Sequence, residues 1–362
     1  MHLNINLDWL SAKGLPMLGL DISTTAVKLV ELSDAGKGKL RVERYVIQPL
    51  PKDAVADGNI ANIDQVADAL RTAWRQMGTR IKNVALALPS SAVITKKILA
   101  PASLKGVDLE NQVETEANQV IPFSLDEVNL DFQALGPSPA SPDDVQILLA
   151  AARKEKVEDR VAVVEASGLK ALIMDVESFA TQTAYEQISH LLANGGAGMT
   201  VAIIDIGAQN MHINILHDNE SVYLREHGFG GNQLNNEISR RYGMSSEEAE
   251  NAKRRGTLPE SYDVEVLQPY SETLAMEIGR AMQLFTTSTQ YRQVDQILLA
   301  GGGAMIPGIE DVVSQRTGTP AMVVNPFANM AVNSKIRPQE LTADAPSLFV
   351  ACGLAMRRFD PQ

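Results

Sequence analysis

Apolar positions along the chain fall into short runs broken by polar turns, and the period of each run decides what it can form. Residues 17–32 read as an apolar strand, a polar turn and a second strand, since Val27, Leu29 and their neighbours favour extended backbone. Residues 60–77 carry helical spacing, residues 84–89 read as another strand, and residues 92–100 are expected to return beside it. Residues 107–119 read as an acid-rich amphipathic helix stopped near Pro122, ahead of the alternating stretch 128–135. The Pro- and Ser-rich segment 136–144 is expected to be an exposed connection. Residues 145–151, the charged helix after Arg153 and residues 171–176 read as strand, helix, strand, with the two strands parallel. A helix over 179–192 runs into Asn194, Gly195, Gly196 and Gly198, the best hinge in the sequence.

Beyond that hinge the first pattern returns. Residues 201–216 again give strand, turn and strand, and the two segments lie over each other without a gap: Asp21, Ile22, Ser23 and Thr24 on Asp205, Ile206, Gly207 and Ala208. Val27 and Leu29 then fall on Met211 and Ile213. One repeat at this large spacing predicts two similarly folded halves, not a solenoid of short units. A mainly helical stretch follows over 232–290, and the buried strand 296–300 runs directly into Gly301, Gly302 and Gly303.

Composition narrows the function classes. The chain has 362 residues, room for two or three packed units, and its 45% apolar and 21% charged residues are those of a globular protein. A net charge of -12 argues against nucleic acid as a partner, because phosphate affinity needs clustered Lys and Arg. The single cysteine, Cys352, excludes an internal disulfide and any Cys-rich metal site, and its small-residue setting reads as a buried inert thiol. No apolar run approaches the ~18 residues needed to span a bilayer, and the N-terminus lacks a basic flank leading into an apolar core, so a soluble protein of a reducing compartment is expected.

The chemistry sits on the repeated turns. A turn after a strand can aim several backbone N–H groups at one point and so hold a phosphate, and small side chains at Ser23, Thr24, Gly207 and Ala208 let its oxygens approach. Lys28 adds positive charge, and Asp21 and Asp205, from opposite sides, suit the water shell of Mg²⁺. Either aspartate alone reads as a turn former; their repetition on matching turns makes the functional reading the stronger one. Gly301, Gly302 and Gly303 offer bare backbone on which a planar base can lie, or else a tight strand-to-helix turn. They match neither a dinucleotide fingerprint nor a P-loop. His212 and His217, five apart with no carboxylate cluster, read as structural or surface residues.

In this order and at these separations, Leu18-Gly-Leu-Asp-Ile-Ser-Thr-Thr, Ile204-Asp-Ile-Gly-Ala-Gln-Asn and Leu299-Ala-Gly-Gly-Gly-Ala-Met-Ile-Pro-Gly resemble the two phosphate motifs and the adenosine motif of the actin-like ATPase superfamily. Within it the chain is most similar to the PilM and FtsA branch, with support from Ala117-Asn-Gln-Val-Ile-Pro-Phe and Val324-Asn-Pro-Phe-Ala-Asn-Met. The resemblance implies an α/β actin-like (ribonuclease H-like) fold of two lobes, each with a mixed sheet, and an FtsA-type inserted subdomain. It implies an N-terminal leader over 1–16, a first lobe over 17–83 and 171–198, and the insertion over 84–170. A second lobe would cover 199–231 and 296–345 around a helical subdomain at 232–295, with a C-terminal helix over 346–362 returning to the first lobe.

Carried over residue by residue, the resemblance implies ATP or ADP on Ser23, Thr24, Lys28, Gly207, Ala208 and Gly301 to Gly303, and Mg²⁺ near Asp21 and Asp205, through water. Val176-Glu-Ser-Phe-Ala resembles the helix start that faces the attacking water, which makes Glu177 the candidate water positioner. As a first-turn acid, Glu177 is equally at home at a helix dipole. Ala249-Glu-Asn-Ala-Lys-Arg resembles the segment bracketing adenosine, so Glu250 and Lys253 either reach one ribose or form a plain surface ion pair. Gln209 and Asn210 stand where many relatives carry Thr or another small residue and are expected to crowd the site or change its hydrogen bonds, which makes nucleotide binding a safer expectation than turnover.

The implied partner is the N-terminal cytoplasmic peptide of the inner-membrane protein PilN, with other inner-membrane pilus proteins, pilus motor ATPases and self-association open. The implied place is the cytoplasmic face of the bacterial inner membrane, reached only through partners. FtsA carries a C-terminal amphipathic helix, whereas here the last helix is expected to close near Arg358, which favours the PilM side. Leu3, Ile5, Leu7 and Trp9 in the leader would touch a membrane, cover the first sheet or stay loose. A metabolite kinase and a filament-forming protein are the other function classes of this fold.

Overall fold

The computed structural model describes residues 15–138 and 141–360. The apolar positions of the leader, Leu3 to Trp9, lie outside these residues.

Two sheets organise the chain. The first has six strands in the order Lys170–Val176, Asn83–Leu88, Leu18–Ile22, Ala26–Gly36, Lys39–Pro49 and Ala331–Val332. The second has five, in the order Glu220–His227, Met211–His217, Thr200–Ile206, Gln296–Ala300 and Ala321–Val323. Both are built around the repeat. Leu18–Ile22 pairs antiparallel with Ala26–Gly36 and parallel with Asn83–Leu88, just as Thr200–Ile206 pairs antiparallel with Met211–His217 and parallel with Gln296–Ala300. Apart from Thr200 and the aspartates near their ends, Asp21 and Asp205, the central strands Leu18–Ile22 and Thr200–Ile206 are apolar because both faces are covered.

The helices Glu177–Ile188 and Phe349–Met356 fill the space between the lobes. Ala184, Tyr185, Ile188 and Phe349 pack on Val201, Ile203 and Leu298 of the second sheet, while Ala180, Val350 and Leu354 pack on Ala85 and Ala87 of the first. Their approach is backbone to backbone: a Cβ on Gly353 would stand 1.8 Å from the Ala180 carbonyl oxygen. Gly19 does the same for the strand below, since a Cβ there would lie 2.1 Å from the Ala351 carbonyl oxygen.

A third, three-stranded antiparallel sheet, ordered Val93–Pro101, Ser141–Arg153 and Val128–Ser138, carries the helix Val107–Val120 on one face. Several expectations are corrected here. The strand after residue 92 does not return beside Asn83–Leu88 but pairs with Ser141–Arg153. Ser141–Arg153 and Lys170–Val176 belong to different sheets, and the parallel partner of Lys170–Val176 is Asn83–Leu88. Residues 136–138 and 141–144 of that segment continue a β-ladder, with Pro137 on an edge strand where a missing N–H costs no ladder bond. The separate unit is narrower than 84–170, because Asn83–Leu88 lies in the first sheet and Val163 and Val164 of the helix Lys154–Ala166 enter its core. The return to the first lobe also starts before residue 346: Phe327, Met330 and Leu341 pack with Val30, Leu32 and Val42. In each case periodicity identifies a strand or helix, while its partner is set by tertiary packing.

Candidate nucleotide cleft between the lobes

Each repeated hairpin ends in the same turn. Ser23 N–H donates to the Ala26 carbonyl at 3.0 Å, and Gly207 N–H donates to the Asn210 carbonyl at 2.9 Å, at aligned positions. The Ser23 hydroxyl also donates to the Ala26 carbonyl, at 2.9 Å, so both donors of Ser23 close its own turn. Among the described residues the N–H groups of Thr24 and Thr25 have no protein acceptor, which leaves them for a ligand. In the second turn the carbonyls of Gly207 and Ala208 accept from Gly231 and Asn232, seating the helix Gly231–Tyr242 on the turn. A Cβ on Gly230 would stand 2.5 Å from the Gly207 oxygen, so only glycine permits that seat. Gln209 and Asn210 both line the cleft, and Asn210 also turns its amide to Glu226 on the neighbouring strand, which changes the hydrogen bonding at this turn.

The antiparallel register sets Asp21 opposite Lys28 and Asp205 opposite His212. Lys28 Nζ lies 2.9 Å from Asp21 Oδ2, with the two side chains 14% and 8% exposed. Burial pushes the Lys28 ammonium towards neutrality, but Asp21, Asp205 and Glu177 outweigh it and hold the group above its ordinary value. Asp205 is raised, first by burial and then by Asp21, against the pull of His212 and Lys28. Glu177, the first residue of its helix, is pushed up to about 6 by burial, with His212 and Arg160 opposing and Asp21 and Asp205 adding to the rise. Three carboxylates thus face one side of the cleft, two of them raised by burial and by neighbouring carboxylate charge, an arrangement that favours an incoming cation.

Gly301 follows the strand beside Asp205 with φ of 82°. A Cβ there would meet Asp205 Oδ1 at 2.2 Å and the Ile206 oxygen at 2.5 Å, and one on Gly303 would meet Ile206 Cγ2 at 2.2 Å. Gly302 has open space instead. The triple glycine therefore serves two ends: its outer members let the loop close on the second turn, and its middle member faces the cleft. Glu250 and Lys253 pair at 2.6 Å, and Asn235 bridges them, donating to Glu250 Oε2 at 2.9 Å and accepting from Lys253 at 2.8 Å. Half-buried, the trio forms part of the wall and is more than a surface ion pair.

Asp21, Ser23, Thr24, Lys28, Glu177, Asp205, Gly207, Ala208, Glu250, Lys253 and Gly301 to Gly303 all line one cleft of about 2060 Å³ between the lobes. Among the described residues no three His, Cys, Asp or Glu side chains are placed to hold a metal directly. Two residues that sequence reasoning missed line the same cleft, His212 and Arg160. His212 was legible, because the alignment that lays Asp21 over Asp205 lays Lys28 over His212. Arg160 carried no local signal.

Among solved structures, the protein described as the PilM-PilN type IV pilus biogenesis complex is 27% identical, with a TM-score of 0.79 over 96% of this chain and 100% of that one. The ethanolamine utilization protein EutJ from Carboxydothermus hydrogenoformans is 16% identical, with a TM-score of 0.54 over 97% of this chain and 94% of its own. The architecture is that of the actin-like ATPases, two lobes with mixed sheets. The sequence pattern of the family described as type IV pilus assembly protein PilM matches residues 19–359. From its repeated aspartate turns to its helix returning between the lobes, this chain belongs to the PilM family of type IV pilus assembly proteins.

Proposed function

We propose that this protein is a nucleotide-binding adaptor of type IV pilus assembly, in which ATP and Mg²⁺ between the lobes set the grip on the cytoplasmic N-terminal tail of PilN. The carrying observation is the pair of matched aspartate turns that face one cleft in a PilM-family chain. The residues fit both groups. Free N–H groups at Thr24 and Thr25, small residues at Gly207 and Ala208, and the Lys28 ammonium suit phosphate oxygens, with adenosine towards Gly302 and the Glu250, Lys253 and Asn235 wall. The carboxylates of Asp21, Asp205 and Glu177, lining the cleft from both lobes, suit a hydrated dication held through water. When bound, Mg²⁺ neutralises phosphate charge. Glu177 is the water-positioning group in this reading, with turnover at most slow.

The PilN tail enters as the partner because the solved PilM-PilN complex is similar over the whole chain. A tail of that kind gains affinity from main-chain hydrogen bonds and specificity from side-chain pockets. Among the described residues no helix is long and apolar enough to cross a membrane, which fits recruitment to the inner membrane through such a partner. Other inner-membrane pilus proteins, motor ATPases and self-association are further contacts compatible with this role. A nucleotide can shift the lobes only by its differential affinity for their two arrangements.

The test has two arms. Calorimetric titration with MgATP is expected to show binding that Asp21→Ala and Asp205→Ala each weaken by tenfold or more, and unchanged affinity in both variants sinks the nucleotide assignment. Titration with a synthetic N-terminal peptide of PilN, with and without nucleotide, is expected to show binding that differs between the two states, and no binding in either removes the adaptor role.

A further inference from the structure

Arg160 is the one arginine or lysine among the described residues that is less than a tenth exposed, at 3%. It sits on the helix Lys154–Ala166, directly after the strand Ser141–Arg153 that forms the middle of the three-stranded unit. Its side chain crosses from that unit's exit helix into the first-lobe wall of the cleft, on the side of Glu177 and Asp21.

The guanidinium is under-used. It has five donors, and the bond it makes is from Nη2 to the Gly58 carbonyl at 3.1 Å. Among the described residues no carboxylate lies within ion-pair distance of 4.0 Å, although Glu177 and Asp21 act on it from further away. Burying an arginine costs several kcal/mol unless an anion or a full set of acceptors repays it. Consistent with that, burial holds Arg160 below its ordinary value against the pull of both carboxylates. A fork of donors lining the cleft on the side of Glu177 and Asp21, the side on which Glu177 would face the terminal phosphate in the reading above, is a site for a compact anion with several oxygens once a cation offsets the two acids.

We infer that Arg160 is a further phosphate-binding residue, which contacts the terminal phosphate of a bound triphosphate and thereby ties the helix that follows the three-stranded unit to the nucleotide cleft. The inference rests on the nucleotide reading above. The Gly58 anchor gives the contact a mechanical outlet. Gly58 has φ of 74°, and a Cβ there would stand 2.9 Å from Pro89 Cγ, so its carbonyl is fixed at the junction of the hairpin Val55–Ile60 with the strand end before Pro89. On the far side of Arg160 a small groove opens between that hairpin and Lys156 and Asp159. A phosphate that draws the guanidinium into the cleft therefore loads the seat of the helix Lys154–Ala166 on the first lobe, directly after the strand that leaves the three-stranded unit, whereas a diphosphate leaves it on Gly58.

The experiment compares MgADP with the magnesium complex of β,γ-imido-ATP by calorimetry on the full chain, with thermal melts to confirm folding. In Arg160→Met the triphosphate analogue is expected to bind tenfold or more weakly, with ADP affinity within twofold of wild type. Arg160→Lys, which keeps the charge without the fork, is expected to lose threefold or more for the analogue alone, and it decides the question if Arg160→Met does not fold. An equal loss for both nucleotides, or no loss for either, overturns the inference. If the wild-type chain binds neither nucleotide, the nucleotide reading itself fails and this one falls with it, which separates the two failures.

Discussion

Asp21 and Lys28 are a buried pair inside a cluster of like charge, and removing either should be costly for opposite reasons. Truncating one partner of a fully buried ion pair costs about 3–5 kcal/mol, most of it from the charge left behind. Asp21→Ala strands Lys28, which is 14% exposed, yet Asp205 and Glu177 still attract it, and the substitution relieves their repulsion from Asp21. The expected loss is therefore below that range, about 2 kcal/mol. With an unfolding entropy of about 2.1 cal/mol/K per residue over 362 residues, this lowers Tm by about 3 °C. Lys28→Met should cost more, about 3 kcal/mol, because three carboxylates then face one another without their cation. The double variant should lie within about 1 kcal/mol of wild type, since both charges leave together. Urea unfolding of the nucleotide-free protein, followed by far-ultraviolet circular dichroism, gives all four corners of the cycle. Strictly additive losses in the double variant, or a loss under about 0.5 kcal/mol for Asp21→Ala, would show that the pair is not coupled and refute the electrostatic account.

Two further outcomes follow from the same geometry. Because folded Glu177 titrates near 6 against an ordinary 4.5, its stabilising protonated form is fully present below about pH 4.5 and lost as pH rises through 6. Glu177→Gln mimics that form, so its advantage over wild type in denaturant unfolding should grow to about 2 kcal/mol by pH 7.5 and vanish near pH 4, whereas a pH-independent difference contradicts the assignment. Gly301→Ala should destabilise the fold by about 2–4 kcal/mol, as its Cβ would collide with Asp205 and Ile206 at a positive φ, while Gly302→Ala should stay within about 0.5 kcal/mol. Equal melting temperatures for the two alanine variants would contradict the division of labour within the triple glycine.

The turns at Asp21 and Asp205 were legible in the sequence because strand, turn and strand are local patterns and the repeat doubles each one. The same alignment contained His212, passed over when the histidines were weighed by their spacing from each other and not by their repeat partner. Strand partners were misread around the inserted unit, since the alternation of residues 93–101 and 141–153 fits any sheet and only packing sends them to the third. Arg160 had no sequence signature at all. Its place depends on the helix Lys154–Ala166 lying against the hairpin that carries Gly58, a contact across about a hundred residues. Asn210 keeps its place on the cleft while its amide is held by the next strand, a bond that its position in the motif does not reveal.

The way the helix Phe349–Met356 closes the first lobe also sets an order of events during synthesis. Every strand of the second sheet comes from one stretch of chain, 200–323, so that lobe can assemble as soon as the stretch is made. The first lobe cannot. Its Asp21 strand is made before that stretch, yet the helix that packs on Gly19 is more than 300 residues further along, on the order of a quarter of a minute to a minute later at about 5–20 residues per second. Until then Val30, Leu32 and Val42 lack the Phe327, Met330 and Leu348 side chains that cover them. The lobe begun before the other is finished after it, so its sheet must wait with one face uncovered until the returning helix has docked.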